Sequence, residues 1–303
     1  MKKILAAFLA FVLLASLAGC GIAKRDDTPD PPVNININNP EPATTSGPVD
    51  PGEEQIERTV ICDQDGIRVI VTELDASTYS LEMPDLYFTL ENNTSKDLIF
   101  SMETCVVNGY SVSAYLYETV SAHSSTDVTA MLDFDYASEE SESECICDLI
   151  LYMEIEDADS YEIIKKIGPE VLYTDAAPDY TYTYDDSGAV VVDDSNFKIT
   201  LRDLYNDGNG GQYQEVYVQN KTSDMIAVWV ENVTINGKEC EPGFYLTVAP
   251  DSRGFDLIHF YSSIMEETGV TDITELGLAF KVISREDYST LYESGDLIVT
   301  YDE

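Results

Sequence analysis

Basic residues and histidine are scarce in this chain. Its 303 residues include 16 Lys and Arg against 57 Asp and Glu, which gives a formal net charge of −41, and only two His. Because nucleic-acid binding requires many Lys and Arg contacts to phosphate, so acidic a chain is excluded from that class. The same charge disfavours direct docking of the folded domains onto anionic lipid or wall polymer. We therefore expect no nucleic-acid partner.

Motifs of the common catalytic classes are also missing. The sequence contains no G-x-S-x-G nucleophile elbow, no H-E-x-x-H zinc motif and no glycine-rich phosphate loop. Its two histidines, His123 and His259, do not occupy equivalent positions in the repeat described below. We therefore expect no catalytic residue, no cofactor and no metal site.

The longest charge-free apolar run lies at the N-terminus. It extends from Ile4 to Ala18 after Lys2 and Lys3, which is shorter than the roughly 20 residues of a spanning helix and is typical of a signal peptide. The following Gly19-Cys20 completes a sequence that resembles the lipobox of Gram-positive bacterial lipoproteins. The resemblance implies a signal peptide over 1–19, cleavage between Gly19 and Cys20, and lipid (diacylglycerol and palmitate-like chains) on Cys20. An uncleaved anchor, or an ordinary secretory signal with a chance cysteine, is the alternative.

Such a lipid anchor predicts the location of the protein. Two acyl chains suffice for stable membrane attachment, so we expect an extracytoplasmic protein held on the outer face of the cell membrane. Residues 20–58, with seven prolines and the polar run Asn34 to Asn39, have the composition of a disordered tether. Residues 34–38 alternate like a strand, but proline flanks them on both sides, so we predict a linker there too.

Two copies of one short signature organise the rest of the chain. Leu90–Ser95 precedes Asn108-Gly109, and Val218–Ser223 precedes Asn236-Gly237, with the copies 128 positions apart. Self-similarity at constant spacing indicates a duplicated folding unit. The Asn-rich stretches break strands, and Asn-Gly is a strong hairpin signal because both residues accept positive φ.

Strict alternation before each Asn-rich stretch predicts strands that bury one face. Phe88 and Leu90 in the first copy, with Val216 and Val218 in the second, are the expected core residues. About seven such strands in about 115 residues, with turns at regular intervals, are typical of an immunoglobulin-like β-sandwich. We predict two of them, at 59–175 and 189–303, joined by a linker at 176–188.

Short helical insertions are expected within both sandwiches. Each copy has a candidate helix before its last strand, at 160–167 and 287–294, and the second copy has another turn near Ser263–Thr268 with a Ser263–Glu266 capping box. The Asn-Thr-Ser turn, the later Asn-Gly and the helix after Asp/Ser-Tyr together resemble the uncharacterised immunoglobulin-like modules of Gram-positive lipoproteins. That resemblance covers both copies and implies no catalytic residues.

Cysteine usage leaves the disulfide pairing open. With Cys20 reserved for lipid, an odd number remains, and at least one thiol is left over unless it pairs between molecules. A buried thiol or one structural disulfide is favoured over a metal or redox site, because zinc would require further Cys or His ligands at set spacing. The remaining cysteines are Cys62, Cys105, Cys145, Cys147 and Cys240.

An acidic, glycine-rich loop after residue 203 raises the question of calcium. Asp203, Asn206, Asp207 and Asn209 supply the oxygen ligands that calcium prefers. Their spacing misses the calcium-loop motif, however, and Asn-Asp-Gly-Asn-Gly-Gly is a good hairpin sequence. We interpret the loop as a hairpin.

Amphipathic aromatic residues supply the one candidate contact surface. Tyr87, Tyr217 and Trp229 fall on the strand faces opposite the core, where they would contact an envelope protein or glycan, or pack between the repeats. We predict a non-catalytic binding, adhesion or spacer module on the cell surface. The alternative is a cell-envelope enzyme, such as a carboxylate-based glycan hydrolase on a β-sandwich.

Overall fold

The computed structural model describes residues 33–37, 55–76, 83–133, 145–176, 184–185 and 187–301, and of 33–37 the backbone alone. Within these ranges the chain is all-β with one helix, and its strands build open, sandwich-like sheets. The prediction of an all-β chain is confirmed. The predicted signal peptide, Gly19 and Cys20, and most of the predicted tether lie outside the described residues.

The first half of the chain (residues 55–176) contains two four-stranded arrangements. The strands are β2 Thr59–Gln64, β3 Ile67–Asp75, β4 Asp85–Asn92, β5 Leu98–Val107, β6 Tyr110–Val120, β7 Ser124–Asp133, β8 Asp148–Asp157 and β9 Ile163–Tyr173. One arrangement has the order β2-β3-β4-β7 and the other β6-β5-β8-β9, and they meet where β6 pairs with β7. All of these pairs are antiparallel.

The second half (residues 187–301) repeats this pairing. Its elements are β10 Ala189–Asp193, β11 Phe197–Asn206, β12 Gln212–Asn220, β13 Ile226–Ile235, β14 Lys238–Glu239, β15 Tyr245–Val248, β16 Arg253–Phe260, helix α1 Ser262–Thr268, β17 Glu275–Ser284, β18 Thr290–Glu293 and β19 Leu297–Tyr301. The order β10-β11-β12-β16 corresponds to β2-β3-β4-β7 of the first half. Strand β13 pairs with β15 and β17, as β5 pairs with β6 and β8.

Each half encloses its own apolar cluster between the two arrangements of strands. Phe88 and Leu90 are buried in the first cluster, and Val216 and Val218 in the second. The predicted core positions are therefore confirmed. Alternation determines this result, because successive strand residues point to opposite faces and only one face of each strand is apolar.

A buried asparagine holds the turn after β4 and after β12. The Asn92 side chain donates to the carbonyls of Lys96 and Val120 and accepts from the Thr94 amide. Asn220 does the same in the second half, donating to Asp224, Val248 and Ala249 and accepting from Thr222. One side chain thus replaces the backbone partners that the broken strand loses.

The Asn-Gly hairpins carry a second clamp. Asn108 has a φ of 50°, and its side chain donates to the Cys145 carbonyl and accepts from the Cys147 amide. In the second half, Asn236 has a φ of 49° and contacts Asp272 and Thr274 in the same way. These asparagines therefore form the hairpin and also fasten it to the start of β8 or β17.

The predicted helices at 160–167 and 287–294 are wrong. Both segments begin as turns, in which Tyr161 and Tyr288 have a φ of 58°, and both continue as strands, β9 and β18. The residue with positive φ ends the helical geometry after a single turn. Pairing with β8 or β17 then supplies hydrogen-bond partners for the backbone N–H and C=O groups, which a helix would have paired internally. Gly168, which follows the first predicted helix, lies inside β9.

The helix predicted near Ser263–Thr268 is confirmed as α1, but its capping box is wrong. Tyr261 is the N-cap residue and makes no side-chain capping bond, while Gly269 ends the helix in left-handed conformation.

The predicted tether at residues 20–58 contains a strand. Val33–Ile37, β1, pairs in parallel with β19, with Ile35 opposite Val299. The prediction of a disordered tether is therefore wrong at these five residues. Proline lies outside the paired stretch on both sides, so the residues of the stretch keep the backbone N–H groups that a ladder requires.

Candidate binding surface

The two halves contact each other directly. β16 pairs in parallel with β6 through Arg253 and Gly254, and the hydroxyls of Ser111 and Ser252 are 2.7 Å apart. The Ala249 amide donates to the Ser111 hydroxyl at 2.8 Å. Residues Pro32–Glu303 accordingly form one compact unit.

Tyr217 lies within this contact. It is fully buried and belongs to the apolar cluster of the first half, although it comes from β12 of the second. The Arg202 guanidinium lies 5.0 Å from its ring centroid, which is a cation–π distance. Of the two alternatives for this residue, packing between the repeats is the one observed, and Tyr217 is not part of an exposed contact surface.

Tyr87 occupies the outer face of β4 and is half-buried. Burial raises the pKa of its phenol, and the carboxylates of Asp85, Asp75 and Glu73 raise it further. Tyr87 thus lies among acidic side chains. It is in a different sheet from Trp229, which belongs to β13 of the second half.

Trp229 belongs to a stack of side chains on β13, β15 and β17. Tyr245 is its cross-strand partner on one side, with ring centroids 6.5 Å apart and planes within 10°, and Lys281 is its partner on the other, with Nζ 5.6 Å from the indole. The indole N–H donates to Glu231 at 3.1 Å. We call Trp229, Tyr245 and Lys281 the tryptophan stack.

Arg285 joins the tryptophan stack to the first half. Its guanidinium donates to the Tyr245 hydroxyl at 3.1 Å and to the Glu103 carboxylate at 2.6 Å. The Tyr288 ring lies 6.0 Å from the same guanidinium. Because Glu103 is on β5, this one side chain connects the outer sheet faces of both halves.

Glu103 also lines a shallow groove of about 450 Å³ in the first half. Tyr115 and Tyr117 of β6 line one side of it, and Glu154 and Glu156 of β8 line the other. Both tyrosines are exposed. The groove is an open depression on the sheet and not an enclosed cavity. The groove and the tryptophan stack therefore make one continuous surface, which we call the binding surface.

The glutamates of the groove differ in their surroundings. Glu154 is ion-paired with Lys166 at 3.2 Å. Burial, followed by the charges of Glu154 and Glu103, raises the pKa of Glu156 above its usual range. A hydrogen-bond donor or cation on a ligand would therefore stabilise the Glu156 carboxylate.

The arrangement of these acids bears on catalysis. Glu154 and Glu156 are two residues apart on one strand, about 7 Å along it, and they project from the same face. A hydrolase acid pair must instead flank the scissile bond. Glu103 lies on the adjacent strand of the same sheet. The geometry is suited to contacting a ligand laid across the sheet, and it does not place acids on facing walls.

Sequence reasoning missed most of this surface. It named Trp229 but not Tyr245, Arg285, Tyr115 or Tyr117. The two β6 tyrosines follow a period of two and could have been assigned to one outer face. Their proximity to β8, and the Arg285–Glu103 contact across 182 positions, arise from the packing of strands and halves and leave no local signal.

A second group of rings crosses β11, β12 and β16. Tyr205 packs on Tyr213 at 5.4 Å, Tyr213 on His259 at 5.8 Å, and His259 on Tyr261 at 5.3 Å between centroids. Because these rings pack on one another, we assign them to stabilisation of the sheet.

The loop considered for calcium is a hairpin. Asp207 accepts from the amides of Asn209 and Gly211, and its own amide donates to the Gly211 carbonyl. Among the described residues, no group of three or more His, Cys, Asp and Glu side chains converges as a metal site would require. No helix in the described ranges has the length and apolarity to cross a membrane.

Comparisons with known proteins give no family. No family model and no curated protein matches the chain. Among solved structures, the exo-chitosanase CsxA of Amycolatopsis orientalis is 11% identical with a TM-score of 0.23, and the match covers 76% of this chain and 26% of that one. A protein of unknown function from Porphyromonas gingivalis W83 is 10% identical with a TM-score of 0.21, and the match covers 74% of this chain and 93% of that one.

A β-galacturonidase of Eisenbergiella tayi is 11% identical with a TM-score of 0.21, covering 83% of this chain and 44% of that one. The chain thus spans about a quarter of the length of the chitosanase. Likenesses this weak support no conclusion about this chain.

Proposed function

We propose that the protein is an extracytoplasmic lipoprotein whose two tandem immunoglobulin-like sandwiches present a non-catalytic ligand-binding surface. The repeated strand pairing of the two halves supports the tandem interpretation. The observation that carries the function is the binding surface itself. Exposed tyrosines line a groove in the first half, and Arg285 connects that groove to the tryptophan stack of the second.

The chemistry of this surface favours recognition of a partner in the cell envelope. Tyr, Trp and Arg are the residues that dominate binding energy at protein contacts, because they combine large apolar area with a directed polar group. The strong negative charge of the chain keeps the domains away from anionic layers while they remain tethered. An envelope protein or an uncharged glycan is the partner that fits.

Anchoring is tested at Cys20. In cells, Cys20→Ala is expected to block lipid transfer and to leave the precursor uncleaved or the protein released. Mass spectrometry of the mature N-terminus reads this out. A mature chain that begins elsewhere, with an unmodified cysteine, contradicts the anchor.

Binding is tested with the chain 21–303, which lacks the signal peptide and the lipidated cysteine but keeps the compact unit Pro32–Glu303, and with isolated cell envelopes as the probe. Saturable retention is expected, and Trp229→Ala should weaken it about tenfold or more, as at a binding hot spot. Tyr173→Ala is the matched control, because this tyrosine is 66% exposed and does not line the surface. Pretreating the envelopes with protease or with a glycan hydrolase identifies the class of partner. Equal retention of all variants contradicts the proposal.

The second candidate function is glycan hydrolysis, and Glu154 and Glu156 beside the tyrosines are the observation in its favour. Incubation of the chain with purified envelope glycan, followed by measurement of released reducing ends, separates the two. Release that Glu154→Gln or Glu156→Gln abolishes would establish the hydrolase. We expect no release above that of a heat-denatured sample.

A further inference from the structure

Cys145 and Cys147 place their sulfur atoms 3.4 Å apart at the entrance to β8. Cys145 is half-buried, whereas Cys147 is almost completely buried. A disulfide bond is about 2.0 Å long, so side-chain rotation over a short distance brings the sulfurs together. Cys145 is therefore the more accessible of the two residues.

The backbone around this pair does not require sulfur. Asn108 fixes the segment by donating to the Cys145 carbonyl and accepting from the Cys147 amide. Asn236 fixes Asp272 and Thr274 in the second half with the same contacts. Because the equivalent turn forms with Asp and Thr, the turn itself does not require the cysteine side chains.

We propose that Cys145 and Cys147 are a reversible dithiol–disulfide site that reacts with external disulfides. In the forward direction, the Cys145 thiolate attacks one sulfur of a disulfide RSSR, forming a mixed disulfide and releasing one thiolate RS⁻. Cys147 then loses its proton to solvent and attacks the Cys145 sulfur, closing the intrachain bond and releasing the second RS⁻. Two protein thiols are oxidised and one external disulfide is reduced to two thiols.

The order of attack follows from access. Thiol–disulfide exchange requires the attacking sulfur to reach its target in line, and Cys145 is the more exposed of the two residues. Cys147 then has its target held within 3.4 Å. The nearby sulfur therefore resolves the mixed disulfide within the molecule, at high effective concentration.

The pair acts as a redox site and contributes little as a structural staple. Chain-entropy stabilisation by a disulfide grows with the length of the loop it closes, and this loop spans three residues. Closing it leaves the melting temperature nearly unchanged. The extracytoplasmic location proposed above would expose the site to disulfides, but the chemistry itself does not depend on that location.

The test uses the full chain, first reduced and then equilibrated with oxidised glutathione. After removal of glutathione and denaturation, free thiols are alkylated and the peptides are mapped by mass spectrometry without reduction. The expected product is one peptide that contains Cys145 and Cys147, unalkylated and lighter by two hydrogens. Cys105, which is completely buried, should be alkylated in the same sample and serves as the internal control.

Two variants make the outcome decisive. Cys147→Ser should trap the mixed disulfide of glutathione on Cys145, because the resolving sulfur is gone, whereas Cys145→Ser should leave Cys147 unmodified. Thermal melting of the oxidised and reduced chains should agree within a few degrees. Full alkylation of both cysteines in the unsubstituted chain, or a glutathione adduct that persists on it, overturns the proposal.

Discussion

At the scale of single residues, four asparagines carry much of the turn geometry. Asn92 and Asn220 are buried and satisfy backbone groups where a strand breaks, and Asn108 and Asn236 fasten the hairpins. Their recurrence in the sequence was visible, but their role was not. A turn propensity predicts where a chain reverses, whereas the partners of Asn92 come from strands that only packing brings near.

Replacing Asn92 tests this role. Asn92→Ala should lower the free energy of unfolding by about 1–3 kcal/mol for each buried backbone group that it leaves without a partner. Asn93→Ala is the matched control, because the Asn93 side chain is exposed and the change should stay within about 0.5 kcal/mol. Urea denaturation of both variants gives the comparison. Equal losses would show that the buried clamp contributes nothing particular.

Asp256 provides a pH-dependent prediction. Burial is the main cause that raises the pKa of its carboxyl to about 6, with the charge of Asp133 adding to it. A folded pKa above the unfolded value, about 3.9, means that this group favours folding below pH 4 and that the benefit is lost as pH rises through 6.

Asp256→Asn should therefore raise stability at pH 7, by up to about 3 kcal/mol, and leave it unchanged near pH 4. The asparagine side chain keeps an oxygen that can accept the hydrogen bond from the Leu257 backbone N–H, as the carboxylate does. Urea denaturation at the two pH values, with the exposed Asp251→Asn as control, measures the difference. A gain of equal size at both values would show that the carboxyl does not titrate as stated.

At the scale of elements, the sequence pattern predicted more of the strands than of the helices. Alternation identified the core faces of β4 and β12 correctly, because only one register buries Phe88 and Val216. Segments 160–167 and 287–294 were predicted as helices, but the Ser160 and Asp287 side chains each accept from the amide two residues on, within turns, and the following residues pair as β9 and β18. Pairing with a neighbouring strand overrides such local preferences, and sequence spacing does not report the neighbour.

The same reasoning explains β1. Its alternation was visible, but pairing with β19 joins residues about 264 positions apart in the sequence, as Val33 opposite Leu297 shows. The binding surface shares this property, since it combines β5, β6 and β8 with β13, β15 and β17. Trp229 was predictable as an outward aromatic residue, and its partners were not.

At the scale of the whole molecule, the halves are coupled through Tyr217. This residue of the second half fills space in the core of the first, so the fragment 59–175 would lack part of its own interior. The two-sandwich prediction treated each copy as complete, because a repeat offset reports similarity and says nothing about contact between copies.

Tyr217→Ala should therefore destabilise the first half. Loss of a fully buried aromatic ring costs about 3–5 kcal/mol, and Arg202 also loses the nearer of its two ring partners, Tyr217 and Phe255. Hydrogen exchange should become faster at amides of β6, which packs at the contact. Tyr173→Ala is the control, because its ring is exposed. Faster exchange confined to the second half would contradict the coupling.

The most direct test of the account asks whether one ligand contacts both halves. Tyr117 lines the groove of the first half, and Trp229 forms the stack of the second. Retention of the chain 21–303 on isolated cell envelopes is measured with Tyr117→Ala, with Trp229→Ala and with both. A single ligand laid across Arg285 predicts that each substitution weakens retention about tenfold and that the double variant weakens it further. Retention that depends on only one of these residues, or on neither, contradicts a binding surface shared by the two halves.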